Sequence, residues 1–166
     1  EMSVRAVLGQ QITVKAASTL AARLVAVYGT QVQTGIEGLT HSFPAPAAIL
    51  ALGENISEHL GKLGIISARA NTIYQLARVL ADEKNDFGFC GNPEEELQKL
   101  QAIRGIGSWT AQYIAMRAMG WPDAFLPTDA GIKKALPDHT PKELQVLSEA
   151  WRPWRSYATV NLWNTL

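Results

Sequence analysis

Two glycines flank one isoleucine in Ile103-Arg104-Gly105-Ile106-Gly107-Ser108-Trp109-Thr110-Ala111. This makes a turn tight enough to bring backbone N–H groups to the start of the next helix. Free amides and the helix dipole together hold a phosphate without a basic side chain. The same spacing also serves an ordinary helix–turn–helix connection. Trp109 and Tyr113 are four residues apart, hence on one face of the outgoing helix, away from Ala111, Ile114, Ala115 and Ala118. Such a pair either fills a core or stacks on a flat, electron-poor ring, at roughly 0.5–2 kcal/mol per contact. Asp129 ends Phe125-Leu126-Pro127-Thr128-Asp129 and precedes Ala130-Gly131-Ile132, which is by position a helix N-cap. His41, His59 and His139 are scattered without ligand spacing, which argues against a catalytic transition metal. The single cysteine, Cys90, excludes a disulfide framework and any four-cysteine zinc or iron–sulfur site within the chain.

The elements that would position these residues read as helices separated by glycine and proline breaks. Ala17, Leu20, Ala21, Leu24 and Tyr28 form one stripe, closed by Gly29. Residues 29–46 lack periodicity and read as a loop. A short helix is expected from Pro46, with Ile49 and Leu50 inward. Ile73, Leu76, Ala77 and Leu80 give a second stripe within 66–84, and 85–92 is another break. Asn92-Pro93-Glu94-Glu95 and Thr140-Pro141-Lys142-Glu143 each place a cap residue, a first-turn proline and a glutamate three after the cap. The first opens a helix over 93–102. The second leads into Leu144, Leu147 and Trp151 on one face, and a last helix is expected over 154–166. No strand alternation or hairpin dipeptide stands out, so the fold class is all-α.

The chain has 166 residues, of which 47% are hydrophobic and 18% charged, enough to bury a core. Fifteen Lys plus Arg balance fifteen Asp plus Glu. That excludes a blanket-basic nucleic-acid binder and leaves local patches or backbone amides as the means of contact. No apolar run approaches a membrane span and no charged-then-apolar leader opens the sequence. The expectation is a reduced, soluble, cytoplasmic protein. Glu1-Met2-Ser3 runs straight into helical pattern, which reads as a fragment of a longer chain.

Leu100-Gln101, Ile103, Gly105-Ile106-Gly107 and Trp109-Thr110-Ala111 together resemble the hairpin of the helix-hairpin-helix DNA glycosylases. The Gly/Pro-rich loop ending in Asp129 comes at the expected distance. Val4-Arg5-Ala6-Val7-Leu8-Gly9-Gln10-Gln11 and Trp151-Arg152-Pro153-Trp154-Arg155-Ser156-Tyr157-Ala158 are similar to the 3-methyladenine DNA glycosylase II (AlkA-type) branch. Four motifs in order cover nearly the whole chain.

The resemblance implies two helical lobes with the active site in the cleft between them: 1–120, containing the hairpin at about 93–119, and 121–166 with the catalytic loop. The N-terminal domain of the parent protein would be absent. Asp129 would be the catalytic carboxylate, stabilising the oxocarbenium-like deoxyribose while the glycosidic bond breaks. Trp109, Tyr113, Trp163 and Gln10 would line the base pocket. Gln11 would fill the hole left by the flipped base, where an apolar wedge is common. Arg104, Gly105, Gly107, Ser108 and Lys133 would contact DNA. Main-chain carbonyls of Gln101, Ile103 and Ile106 would suit a structural Na or K ion; no cofactor is required. Lyase-competent branches carry lysine where this chain has Trp109, so a monofunctional enzyme is implied. Asn164 and Arg104 depart from the family pattern, which puts pocket width and hairpin contacts in question.

The leading expectation is thus a monomeric bacterial hydrolase of base excision repair, acting on double-stranded DNA that contains alkylated purines such as 3-methyladenine. Two alternatives stay open. One is a non-catalytic helix-hairpin-helix module in which Asp129 is only a cap. The other is a glycosylase for a different lesion, such as hypoxanthine.

Overall fold

A run of small and branched apolar residues, Val4, Ala6, Val7 and Leu8, is buried on α1 (Met2–Leu8). The chain is described by a computed structural model covering residues 1–82 and 92–166. Cys90 and the expected break, as far as Gly91, lie outside the described residues. α2 (Val14–Tyr28) starts at Thr13, whose hydroxyl accepts the Ala16 amide at 3.2 Å, and buries Ala21 and Leu24 from the expected stripe. The segment read as loop holds one addition, an antiparallel pair of two-residue strands. In it β1 (Thr30–Gln31) faces β2 (His41–Ser42), with Thr30 opposite Ser42. Two residues per strand are too few to show alternation, so no pattern announced them.

α3 (Pro46–Leu50) begins at the expected proline and buries Ile49, with Leu50 half-buried. A 3₁₀ turn (Gly53–Asn55) leads into α4 (Ile56–Gly61), which buries Ile56 and Leu60. α5 (Ser67–Ala81) is the central helix of this unit: it packs against α1, α3 and α4 and buries Ala70, Ile73, Leu76 and Ala77. Each of the larger side chains stabilises by about 1.5–3 kcal/mol. Leu80, expected on the same stripe, is exposed in the last turn of α5.

In the other unit α6 (Pro93–Ala102) packs against α7 (Ser108–Arg117), burying Leu97, Leu100, Ala111, Ile114 and Ala115. Ala118 is exposed at the helix end, and Met119 is buried instead. α8 (Ala130–Ala135) packs on α10 (Arg155–Trp163). Between them in the chain lies α9 (Pro141–Leu147), entered through a full capping box. Thr140 accepts the Glu143 amide, and the Glu143 carboxylate accepts the Thr140 amide at 2.8 Å. α9 passes into a 3₁₀ turn (Ser148–Trp151); Leu144 is buried, whereas Leu147, at the last position of α9, is exposed.

The described residues divide into two compact units, 1–82 with Ile103–Gly105, and 92–102 with Ile106–Leu166. This differs from the expected grouping at residue 120. The hairpin's two helices fall with the C-terminal residues because α7 is tied to the loop beyond it. Gln112 Oε1 accepts the Phe125 amide at 3.3 Å, and Trp109 donates to Asp129.

Candidate active site around Asp129

The loop that carries Asp129 is anchored before it is aimed. Arg155, buried at the start of α10, forks onto the Asp123 carboxylate with Nε to Oδ1 at 2.8 Å and Nη2 to Oδ2 at 2.9 Å, and also donates to the Asp123 carbonyl. Arg152 joins the same carboxylate, and Ser156 Oγ lies 2.7 Å from the Trp121 carbonyl. A paired, fully hydrogen-bonded buried charge holds a fixed geometry, whereas loss of one partner strands the other.

At the far end of this loop Asp129 is both cap and hub. Its Oδ1 accepts the amides of Gly131 at 2.8 Å and Ile132 at 3.1 Å, which caps α8 as its position predicts. The same oxygen accepts Trp163 Nε1–H at 2.8 Å, while Oδ2 accepts Trp109 Nε1–H at 3.0 Å. Three donors thus converge on Oδ1. Among the described residues Oδ2 takes Trp109 alone, and a carboxylate oxygen has room for a further contact. The residue is 8% exposed, so its surroundings are largely protein.

The indoles that grip Asp129 also belong to an aromatic wall. Trp109 and Tyr113 stack with centroids 5.2 Å apart and planes at 18°, and Tyr113 meets Trp163 at 6.3 Å and 39°. Gly131 makes this arrangement possible. A Cβ there would stand 2.6 Å from Trp163 Cδ1, so a side chain at this position would displace the indole. Asn164, directly after Trp163, caps α10 and is exposed.

A second group of expected residues gathers in the other unit. The Gln10 side chain donates to the Gly105 carbonyl at 3.0 Å, and Arg69 donates to the Gln10 carbonyl. Thr72 Oγ1 lies 3.1 Å from the Arg104 carbonyl. Gly105 has φ +95°, and a Cβ on it would fall 2.0 Å from Thr72 Oγ1, so only glycine fits. Gln11 is exposed with φ +57°, a conformation that costs a non-glycine residue about 1–2 kcal/mol. Arg104, Gly107, Ser108 and Lys133 are exposed, with Gly107 in the N-cap position of α7.

The structure therefore brings Asp129, Trp109, Tyr113 and Trp163 into one cluster, and Gln10, Arg104 and Gly105 into another beside Gln11. Sequence reasoning passed over Gly131, Gln112, Asp123, Arg69 and Thr72. Only Gly131 carried a local signal, as a glycine in a helical first turn two residues after a capping aspartate.

Comparison with known proteins gives the same cluster a context. The chain is 43% identical to the probable bifunctional transcriptional activator/DNA repair enzyme AlkA of Mycobacterium tuberculosis, over all of this chain and 33% of that protein. It is 36% identical to DNA-3-methyladenine glycosylase 2 of Escherichia coli over 99% of this chain and 57% of that enzyme. The chain thus spans between a third and little more than half the length of these relatives. Its fold is similar to that of the 3-methyladenine DNA glycosylase of Archaeoglobus fulgidus, with a TM-score of 0.83 at 24% identity, over 97% of this chain and 55% of that one. Residues 4–155 match the family described as HhH-GPD superfamily base excision DNA repair protein, and the chain belongs to that family.

Proposed function

We propose that this chain is the catalytic part of a monofunctional DNA glycosylase that hydrolyses the N-glycosidic bond of alkylated purines, 3-methyladenine and related bases, extruded from duplex DNA. The observation that carries this reading is the Asp129 carboxylate gripped by two indole N–H groups whose own rings, with Tyr113, form an aromatic wall. A plain DNA-binding module needs a cap at α8 but no such wall.

In the proposed reaction the extruded base stacks on the aromatic rings, and its positive charge strengthens the attraction. As the bond to C1′ lengthens, positive charge grows on the deoxyribose. Asp129 is fixed beforehand by its four N–H donors, so it stabilises that charge without reorganising. Oδ2, with acceptor capacity left, is the oxygen assigned to face the sugar or orient the attacking water. Water adds at C1′ and loses a proton, and the base leaves with the bonding electron pair. A cationic base departs as a neutral molecule, so the scheme assigns no protonation step. Trp109 has no amine to form a Schiff base, so the product would be an intact abasic strand.

The exposed Arg104, Gly105, Gly107, Ser108 and Lys133 are the proposed DNA contacts, with the first-turn amides of α7 directed at a phosphate. Gln11 is the proposed wedge, and Gln10, whose side-chain amide donates to the Gly105 carbonyl, is proposed for the base pocket. The carbonyls of Gln101 and Ile103, at the end of α6, and of Ile106 are uncharged oxygen donors. Their chemistry fits a structural Na or K ion, which would supply a positive charge toward phosphate.

The test is single-turnover release of 3-methyladenine from methylated duplex DNA by this chain and by Asp129→Asn. We expect release to fall by orders of magnitude in the variant while DNA binding persists. Equal release by both would remove Asp129 from the mechanism. Tight binding without release by either protein would support the non-catalytic module.

A further inference from the structure

We propose that Arg69 and Thr72, on the first half of α5, are positioning residues that hold Gln11 ready for insertion into DNA and reference it to the hairpin. This rests on the reading of Gln11 as the wedge.

Gln11 adopts φ +57° while exposed, and glutamine lacks the short polar side chain that lets asparagine or aspartate stabilise this conformation locally. The peptide before it is restrained. The plane of the Gln10–Gln11 peptide sets φ at Gln11, and its carbonyl accepts from the Arg69 guanidinium. The same Gln10 is held a second time by its side chain, which donates to the Gly105 carbonyl at 3.0 Å. One residue is thus fastened at backbone and side chain, and the strained residue comes directly after it.

Thr72 lies three residues after Arg69, on the same face of α5. Its hydroxyl is 3.1 Å from the Arg104 carbonyl and 3.0 Å from the Ala68 carbonyl, and it fills the space where a Cβ on Gly105 would go. The face that orients the wedge loop therefore also seats the first half of the hairpin turn.

The experiment uses the full chain and two duplexes, one carrying a tetrahydrofuran abasic analogue and one undamaged. The ratio of their dissociation constants is measured for wild type, Arg69→Met and Arg69→Lys, with a melting curve for each. We expect Arg69→Met to lower the preference for the abasic duplex about tenfold, the order expected for releasing one strained residue. Binding to undamaged duplex should change far less. Arg69→Lys restores a donor and should recover part of the preference. An unchanged ratio in Arg69→Met would overturn the proposal. So would a parallel loss of both affinities with the melting temperature, which would make Arg69 merely structural. Base release by the wild type is measured separately on methylated DNA. Its absence would sink the glycosylase reading, while the binding ratio decides the role of Arg69 on its own.

Discussion

Gly131→Ala should destabilise this protein although alanine is the better helix former, because the new methyl group competes with an indole for one space. The Cβ would lie 2.6 Å from Trp163 Cδ1 and 2.9 Å from its Nε1, against about 3.5–4.0 Å for a relaxed carbon contact. The ring must retreat by about 1 Å, which carries the 2.8 Å bond from Trp163 to Asp129 beyond hydrogen-bond length. Losing a hydrogen bond to a charged acceptor costs about 1.5–3 kcal/mol, and replacing a helical glycine returns about 0.5–1 kcal/mol. The net loss is therefore about 1–2 kcal/mol by urea unfolding, with base release slowed about tenfold as the indole leaves the wall. The deciding measurement is the same substitution in a Trp163→Ala background. With the ring gone, Gly131→Ala should change sign and stabilise by about 0.5–1 kcal/mol. A cost that persists in that background would refute the steric argument, as would a wild-type background in which the alanine stabilises.

Trp109→Phe keeps a ring against Tyr113 but removes the donor to Asp129 Oδ2. We expect base release to slow by about tenfold to a hundredfold, with a smaller loss of DNA affinity, measured by single-turnover kinetics beside equilibrium binding. Arg155→Met leaves the buried Asp123 carboxylate with Arg152 as its one cationic partner and should cost about 1.5–3 kcal/mol in chemical denaturation. A variant as stable as wild type would show that the fork does not anchor the loop. The Thr140 amide and hydroxyl hold the Glu143 carboxyl below its ordinary range, and the Arg152 guanidinium does the same for Glu149. Folded values below the unfolded ones mean that this stabilisation is complete above the ordinary carboxylate range and is lost as pH falls through it. The urea midpoint should therefore drop on acidification, and Thr140→Val with Arg152→Met should flatten that slope, most visibly at low salt.

How far each interaction reaches along the chain decides whether the sequence discloses it. The capping box at Thr140, the cap at Asp129 and the stack of Trp109 on Tyr113 each close within four residues, so spacing alone exposes them. The stripe on α5 is legible for the same reason, but its edge is not. Leu80 continues the stripe yet is exposed, and no periodicity contains what packs against a helix end. Likewise Leu147 looks inward on an α-helical wheel and is exposed at the last position of α9. The partnerships that aim the site reach further: Arg155 to Asp123 across 32 residues, Trp163 to Asp129 across 34, Gln10 to Gly105 across 95. Each of these residues has an ordinary local explanation as a surface arginine, a core aromatic or a loop glutamine. Family resemblance could nominate Trp163 and Gln10 because it compares whole chains. It gave no reason to notice Gly131, whose role exists only because an indole from α10 lies where its side chain would be. Asp129 shows why the two levels agree in this protein. The cap that fixes α8 locally and the carboxylate held by the long-range contacts are the same three atoms. Its structural duty therefore positions the group proposed for catalysis instead of competing with it.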